Sequence, residues 1–132
     1  FSKSRYRVLK LGFAPDREIL FQAINNRVDG MVEMDLVNET KDLLGRGYDR
    51  SCNSMQALCY RHILGYLDGV IKLDDAMHRL KRDTRNYAKR QLTWFKRDTL
   101  IRWHEPADKN RLFGDIETFL RENFTPDSKG PA

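Results

Sequence analysis

Apolar positions recur along this chain at two different spacings. Val8-Leu9-Lys10-Leu11-Gly12-Phe13 is a short, β-compatible run that stops at Ala14-Pro15-Asp16. Proline interrupts an extended run and an acid suits a helix N-terminus, so a strand feeding a helix is expected. From Asp16 onward Leu20, Ile24, Val28 and Met31 return every three or four residues, which is one face of an amphipathic helix. Met34-Asp35 reads as a joint. Beyond it Leu36, Val37, Thr40, Leu43 and Leu44 form a second helical face that Gly45 and Gly47 close.

A third helix is expected with Ser54 as its N-cap, running through Met55, Leu58, Cys59, Ile63 and Tyr66, with Gly69 just past its end. Asp74 or Asp75 opens the longest helix, which continues to about Lys96. Leu100-Ile101-Arg102-Trp103 is a candidate edge strand. A last helix spans Asp108 to Asn123, with Leu112, Phe113, Ile116, Phe119 and Leu120 on one side, and residues 125–132 have the composition of a disordered tail. The elements make an α/β class, predominantly helical, with one or two strands.

Composition narrows the picture only modestly. The 132 residues are 40% hydrophobic and 33% charged, enough for one modest core, and the mean hydropathy is −0.68. No stretch approaches the roughly 18 uninterrupted apolar residues of a membrane-spanning helix, so membrane insertion is not expected. Cys52 and Cys59 lack partners at metal-ligand spacing and read as free thiols of a reducing compartment. Nothing behind the basic start has the apolar core of a secretory signal. His62, His78 and His104 stand apart from any recognisable nucleophile and read as structural or solvent-facing. Asp74-Asp75 reads as an N-terminal dipole partner rather than a metal site.

The net charge of +5 is unevenly placed. Between residues 79 and 97 eight basic side chains face the single acid Asp83, so this stretch carries +7 and the remainder −2. On a helix, Met77, Leu80, Thr84, Tyr87, Ala88, Gln91 and Phe95 share one side as a buried stripe. Lys81, Arg85, Lys89 and Lys96 form a ridge beside it, and Arg79, Arg90 and Arg97 a second. A solvated face is the plain alternative. Against it, the acids that normally interleave at i,i+4 are nearly absent, which favours an anionic partner. Tyr87, Trp94 and Phe95 suit base stacking, although a core role is the simpler reading.

The dodecamer Thr84-Arg85-Asn86-Tyr87-Ala88-Lys89-Arg90-Gln91-Leu92-Thr93-Trp94-Phe95 resembles the T-R-x-x-A-K-R-Q-x-T-W-[LF] signature of the tRNA dimethylallyltransferases, or tRNA isopentenyltransferases. Arg27-Val28-Asp29-Gly30-Met31-Val32, Leu36-Val37-Asn38-Glu39 and Tyr66-Leu67-Asp68-Gly69 resemble further blocks of that family, in the family's order. Ala57-Leu58-Cys59-Tyr60-Arg61-His62 departs from its A-[IV]-G-Y-[RK]-[EQ] pattern, with Cys59 in place of glycine and His62 in place of Glu or Gln. No glycine sits in a G-x-x-x-x-G-K-[ST] loop. The resemblance therefore implies the C-terminal part of such an enzyme. Residues 1–124 would belong to its core and complete the parallel sheet of a P-loop, nucleotide-kinase-like fold.

By that resemblance the protein takes part in transferring a dimethylallyl group from dimethylallyl pyrophosphate to N6 of an adenosine next to the tRNA anticodon. No catalytic residue is expected within this chain, because the phosphate loop and the general base are missing from it. Arg61, at the basic position of its block, is the candidate for gripping pyrophosphate, with pairing to Asp68 or Glu39 as the plain alternative. Tyr60, Thr84, Arg85, Lys89, Arg90, Gln91 and Trp94 are the candidates for the substrate channel or tRNA. Mg²⁺ is expected for the whole enzyme with its ligands elsewhere, tRNA and dimethylallyl pyrophosphate are the expected partners, and the cytoplasm is the expected setting. The competing readings are a non-catalytic helical RNA-binding module and a helical protein that contacts an acidic partner.

Overall fold

The computed structural model describes residues 6–124. In chain order these form β1 (Lys10–Phe13), α1 (Arg17–Glu33), α2 (Leu36–Gly45), a single 3₁₀ turn (Asn53–Gln56), α3 (Leu58–Leu67), α4 (Leu73–Phe95), β2 (Ile101–His104) and α5 (Lys109–Phe124). The disordered tail expected over 125–132 lies outside the described residues. The described chain is mostly helical and divides into two compact units, one of residues 6–16 with 92–124 and one of Arg17–Gln91.

In the first unit β1 and β2 pair in parallel, Lys10 opposite Ile101 and Phe13 opposite His104. Two strands so far apart in sequence pair in parallel because the intervening chain returns as a crossover rather than a hairpin. Gly12 is required by this pairing: a Cβ there would lie 2.8 Å from Trp103 Cζ3 and 2.9 Å from Ile101 Cγ2. The pair is clamped at one end by Lys10 Nζ donating to Asp98 Oδ2 at 2.6 Å, and prolonged at the other by Ala14 N–H donating to the His104 carbonyl at 3.0 Å. Asp115 of α5 meets Arg102 at 2.9 Å, which ties the helix to β2. Asp108 caps α5 by accepting the Arg111 N–H.

The second unit is built around Val28, Leu36, Ile63 and Leu80, one residue from each of α1, α2, α3 and α4. All four are at most 3% exposed, and each contributes on the order of 1.5–3 kcal/mol of apolar burial. Thr40, fully buried, satisfies its hydroxyl by donating to the Leu36 carbonyl at 2.7 Å. The joint expected at Met34-Asp35 is a left-handed residue, Asp35, with φ 75° and its carboxylate held by Asn38 Nδ2. Aspartate tolerates this conformation better than most residues, which lets α1 stop and α2 start within two positions.

Two expectations are corrected. Ser54 does not cap a helix running on through Leu58. The 3₁₀ turn Asn53–Gln56 ends at Ala57, whose extended backbone (φ −57°, ψ 148°) separates it from α3. That break lets Met55, 1% exposed, turn into the core independently of α3. The stripe along α4 is also shorter than periodicity implies. Only Ala76 and Leu80 are fully buried, while Tyr87, Gln91 and Phe95 are exposed. The second unit's core ends at Leu80, and beyond it the stripe borders open space.

Candidate functional site

That open space is a cavity of about 580 Å³ within the second unit. From α4 come Leu80, Thr84, Tyr87 and Arg90, and from α1 Ile24, Arg27, Val28 and Met31. Gln56, Ala57, Leu58 and Cys59, from the 3₁₀ turn and the start of α3, complete it. Its floor is aliphatic and its polar groups are few: two guanidinium groups, a carboxamide, a hydroxyl and a phenol. Thr84 lines the groove and donates its hydroxyl to the Leu80 carbonyl at 2.8 Å. The Arg90 guanidinium sits 5.8 Å from the centre of the Tyr87 ring, a cation–π contact that props the cation at the rim. Such a lining suits a ligand with an apolar body and an anionic or hydrogen-bonding end.

Among the residues nominated from sequence, Thr84 and Arg90 line this groove. Arg85 and Lys89 face α1 instead. Arg85 Nη1 donates to Asn25 Oδ1 at 2.6 Å, and the Lys89 ammonium lies 5.4 Å from the Phe21 ring centre. Their neighbour Lys81 is neutralised, its Nζ 2.6 Å from Asp29 Oδ1. The expected ridge of unopposed charge is thus compensated at one end, because α1 runs beside it and brings a carboxylate to the Lys81 turn. Gln91 is exposed. Trp94 belongs to the first unit, where its exposed ring meets Phe95 edge-on at 4.8 Å and borders a cavity of about 820 Å³ with Leu9, Leu11, Gly12 and Trp103.

Tyr60 and Arg61 lie on α3 outside the groove's lining. Tyr60 donates its hydroxyl to Glu39 Oε1 at 2.5 Å, and this bond, with burial and the carboxylate's charge adding to it, pushes the phenol up to about 12. Arg61 pairs with neither Asp68 nor Glu39. Asp68 is taken by Arg50, and Arg61 Nη2 instead lies 3.3 Å from Asp83 Oδ2. The partner comes from α4, 22 residues away, so sequence proximity could not single it out.

Asp83 is the centre of a cluster that sequence reasoning missed. Besides Arg61 it holds His62, whose Nε2 is 3.0 Å from Oδ2, and Arg82, whose Nε is 3.0 Å from Oδ1. Burial works to raise the Asp83 carboxyl, but the hydrogen bonds from Arg82 and His62 and the charge around it hold it below the usual carboxylate range. His62 is itself buried, and burial outweighs Asp83's attraction to hold its imidazole below the ordinary value. The neutral ring donates Nε2–H to the carboxylate. The signal available in the sequence was that Asp83 is the single acid of a +7 stretch.

The other histidines also have structural surroundings. His78 Nδ1 donates to the Asp74 carbonyl at 2.7 Å. His104 is buried, with Nε2 3.1 Å from Asp115 Oδ2, close enough to pair if protonated but not aligned for a hydrogen bond. Among the described residues no three His, Cys, Asp or Glu side chains are placed to hold a metal ion. No described helix is long and apolar enough to cross a membrane.

The groove brings together three sequence blocks that lie far apart in the chain, around Arg27, Cys59 and Thr84, and the same pieces recur in known proteins. The family model for IPP transferase matches residues 1–98. A tRNA dimethylallyltransferase of Carboxydothermus hydrogenoformans is 52% identical over 109 residues, 83% of this chain and 35% of that protein. One from Halalkalibacterium halodurans is 44% identical over 128 residues, 96% of this chain and 40% of that protein. Among solved structures, the full-length tRNA isopentenylpyrophosphate transferase of Bacillus halodurans superimposes with a TM-score of 0.79 at 40% identity, covering 90% of this chain and 40% of that one. This chain therefore spans 35–40% of the length of these relatives. With the matched model reaching from β1 through the whole of α4, and relatives aligned over most of its length, the chain belongs to the IPP transferase family.

Proposed function

We propose that this chain serves in the transfer of a dimethylallyl group from dimethylallyl pyrophosphate to N6 of an adenosine next to a tRNA anticodon, in a cytoplasmic setting. The carrying observation is the groove of about 580 Å³ in which Arg27, Cys59, Thr84, Tyr87 and Arg90 converge on an aliphatic floor. An allylic group needs apolar walls, and an extruded base needs hydrogen-bonding or stacking partners at the edge. Thr84, Tyr87 and Arg90 supply the latter.

In this reaction the C–O bond of the allylic diphosphate breaks, pyrophosphate leaves with the electron pair, and N6 forms the new bond to carbon while losing a proton. Charge grows on the leaving oxygens, where preorganised cations act. Arg61 takes that role in this reading. Its contact with Asp83 at 3.3 Å uses one end of the guanidinium, and its side chain is half exposed. Arg85, Lys89, Arg90 and Gln91 hold tRNA through phosphate oxygens and base edges, with Tyr60 and Trp94 as further contacts. In this reading the proton acceptor is not among the residues named here, and a Mg²⁺ would add positive charge beside the leaving pyrophosphate.

The test is a salt series of tRNA binding by the 132-residue chain, together with a transfer assay using labelled dimethylallyl pyrophosphate. The chain is expected to bind tRNA with a steep salt dependence and to transfer no label by itself, since it has no phosphate-cradling loop. Arg90→Glu is expected to weaken binding and flatten the salt dependence. Absence of tRNA binding at low salt, or binding indifferent to Arg90→Glu, would sink the reading.

A further inference from the structure

Gln56 lines the groove but is positioned from outside it. Its Nε2 donates to the Arg50 carbonyl at 2.5 Å. Arg50 is held in turn by the Asp68 carboxylate at the end of α3, with its Nε 3.1 Å from Oδ2. The residue before Gln56, Met55, is 1% exposed and anchors the 3₁₀ turn in the core. A backbone carbonyl can only accept, so the amide end of Gln56 is the end turned to Arg50. Its carbonyl oxygen, Oε1, meets no donor among the described residues, and the side chain is exposed.

The other polar side chains of the groove are of different kinds. No acid lines it, and Arg27 and Arg90 offer donors only. Thr84 commits its hydrogen to the Leu80 carbonyl, which holds the hydroxyl against the preceding turn of α4. The Tyr87 phenol can donate or accept, so it does not tell an amine from a carbonyl. A matching ligand edge therefore gives an N–H to Gln56 and acceptors to the guanidinium groups. Adenine has such an edge, with its amine at C6 beside ring nitrogens that accept, whereas a 6-oxopurine turns an oxygen to the same place. We propose that Gln56 Oε1 accepts a hydrogen bond from the N6 amine of the adenosine in the groove, and so selects adenine over 6-oxopurines. This rests on the transfer reading above and adds to it the residue that reads the base. The amine carries two hydrogens: one leaves as N6 bonds to the allylic carbon, and the other stays on N6, free to remain on Oε1.

The experiment measures binding of three anticodon stem-loop RNAs to the 132-residue chain at low salt. They differ only at the target nucleotide, which is adenosine, purine riboside without the amine, or inosine with a 6-oxo group. The unaltered protein should bind the adenosine RNA several-fold more tightly than either of the others, because a site built to bond the amine leaves its acceptor unpaired without it. Gln56→Met, of similar length but unable to accept strongly, should bring the three affinities together at the level of the weaker two. The comparison among RNAs on the unaltered protein needs no variant to fold, and Gln56 is exposed, so its replacement disturbs no buried packing. Equal affinities for the three RNAs in the unaltered protein overturn this assignment while the tRNA reading stands. Discrimination that persists in Gln56→Met overturns the role of Gln56, as does a Gln56→Met that weakens all three by one factor. No binding of any RNA by the unaltered protein overturns both readings.

Discussion

His62 Nε2 lies 3.0 Å from Asp83 Oδ2, the same carboxylate oxygen that Arg61 approaches at 3.3 Å. A buried imidazole and a half-exposed guanidinium thus share one acceptor. Asp83 accordingly links the packing of α3 on α4 to the orientation of the residue assigned to pyrophosphate.

This arrangement sets a pH dependence. His62 is held below its ordinary value of 6.5, chiefly by burial, so the unfolded chain binds a proton more readily than the folded one. Stability is complete above about 6.5 and falls as the pH drops below it. Asp83 is also held below its ordinary 3.8, so its contribution is present above that value and fades as the carboxyl protonates. Thermal unfolding measured from about pH 8 to about pH 3 should show Tm falling in two stages. His62→Gln, which does not titrate, should abolish the upper stage, and an upper stage persisting in that variant would remove His62 as its source.

Asp83→Asn should act on function as well as stability. Losing the carboxylate charge leaves Arg61 and Arg82 without their ion pair and weakens the acceptor of the His62 hydrogen bond. Affinity for inorganic pyrophosphate should fall by several-fold, and its dependence on pH near the histidine range should change shape. A variant with lowered stability but unaltered pyrophosphate affinity would show that Asp83 serves packing alone.

Tyr60 and Glu39 form the second testable pair. The 2.5 Å bond from phenol to carboxylate stabilises neutral Tyr60, whose value is pushed up to about 12. The stability it confers is present below about pH 10 and is lost as pH rises toward 12. Tyr60→Phe should cost about 1 kcal/mol at neutral pH, as for a typical intramolecular hydrogen bond. Ultraviolet titration should find Tyr60 ionising late, and the loss of that late phase in Tyr60→Phe would identify it.

Gly12→Ala addresses the strand pair. Its Cβ would meet the Trp103 ring at 2.8 Å and the Ile101 side chain at 2.9 Å, and both neighbours sit on the paired strand. Overpacking of this kind typically costs about 1–3 kcal/mol. Chemical unfolding should report a lower midpoint with an unchanged slope. A neutral Gly12→Ala would mean that the strand pair opens without cost at this point.

Much of the framework was legible before any coordinates. The 3.6-residue recurrence of Leu20, Ile24, Val28 and Met31 placed α1 to within a residue, because a helix buries one face and burial sets the period. Glycines marked real boundaries where a left-handed residue was needed, with φ 88° at Gly47 and 71° at Gly69. The dodecamer of α4 pointed to the family, since an unusual run of residue types survives as a string. The stripe on α4 was overextended because periodicity reports which residues share a face, not how far along the helix a partner lies against it. The Ser54 cap failed for a related reason: a capping side chain favours a helix start, but the extended Ala57 backbone decided where α3 began.

What the sequence by itself determined is therefore local and periodic: the helices and strands to within a few residues, the concentration of positive charge on α4, and membership in a family through contiguous motifs. Tertiary structure alone decided the partners. It gave Arg61 to Asp83 rather than Asp68, set Lys81, Arg85 and Lys89 against a carboxylate, a carboxamide and an aromatic ring, and opened a groove among the separate blocks around Arg27, Cys59 and Thr84. The physical reason is that a repeating pattern is written within one turn or one strand, whereas electrostatic pairing and cavity shape depend on which faces of separate helices come within a few ångströms. That distance exists only once the core around Val28, Leu36, Ile63 and Leu80 has closed.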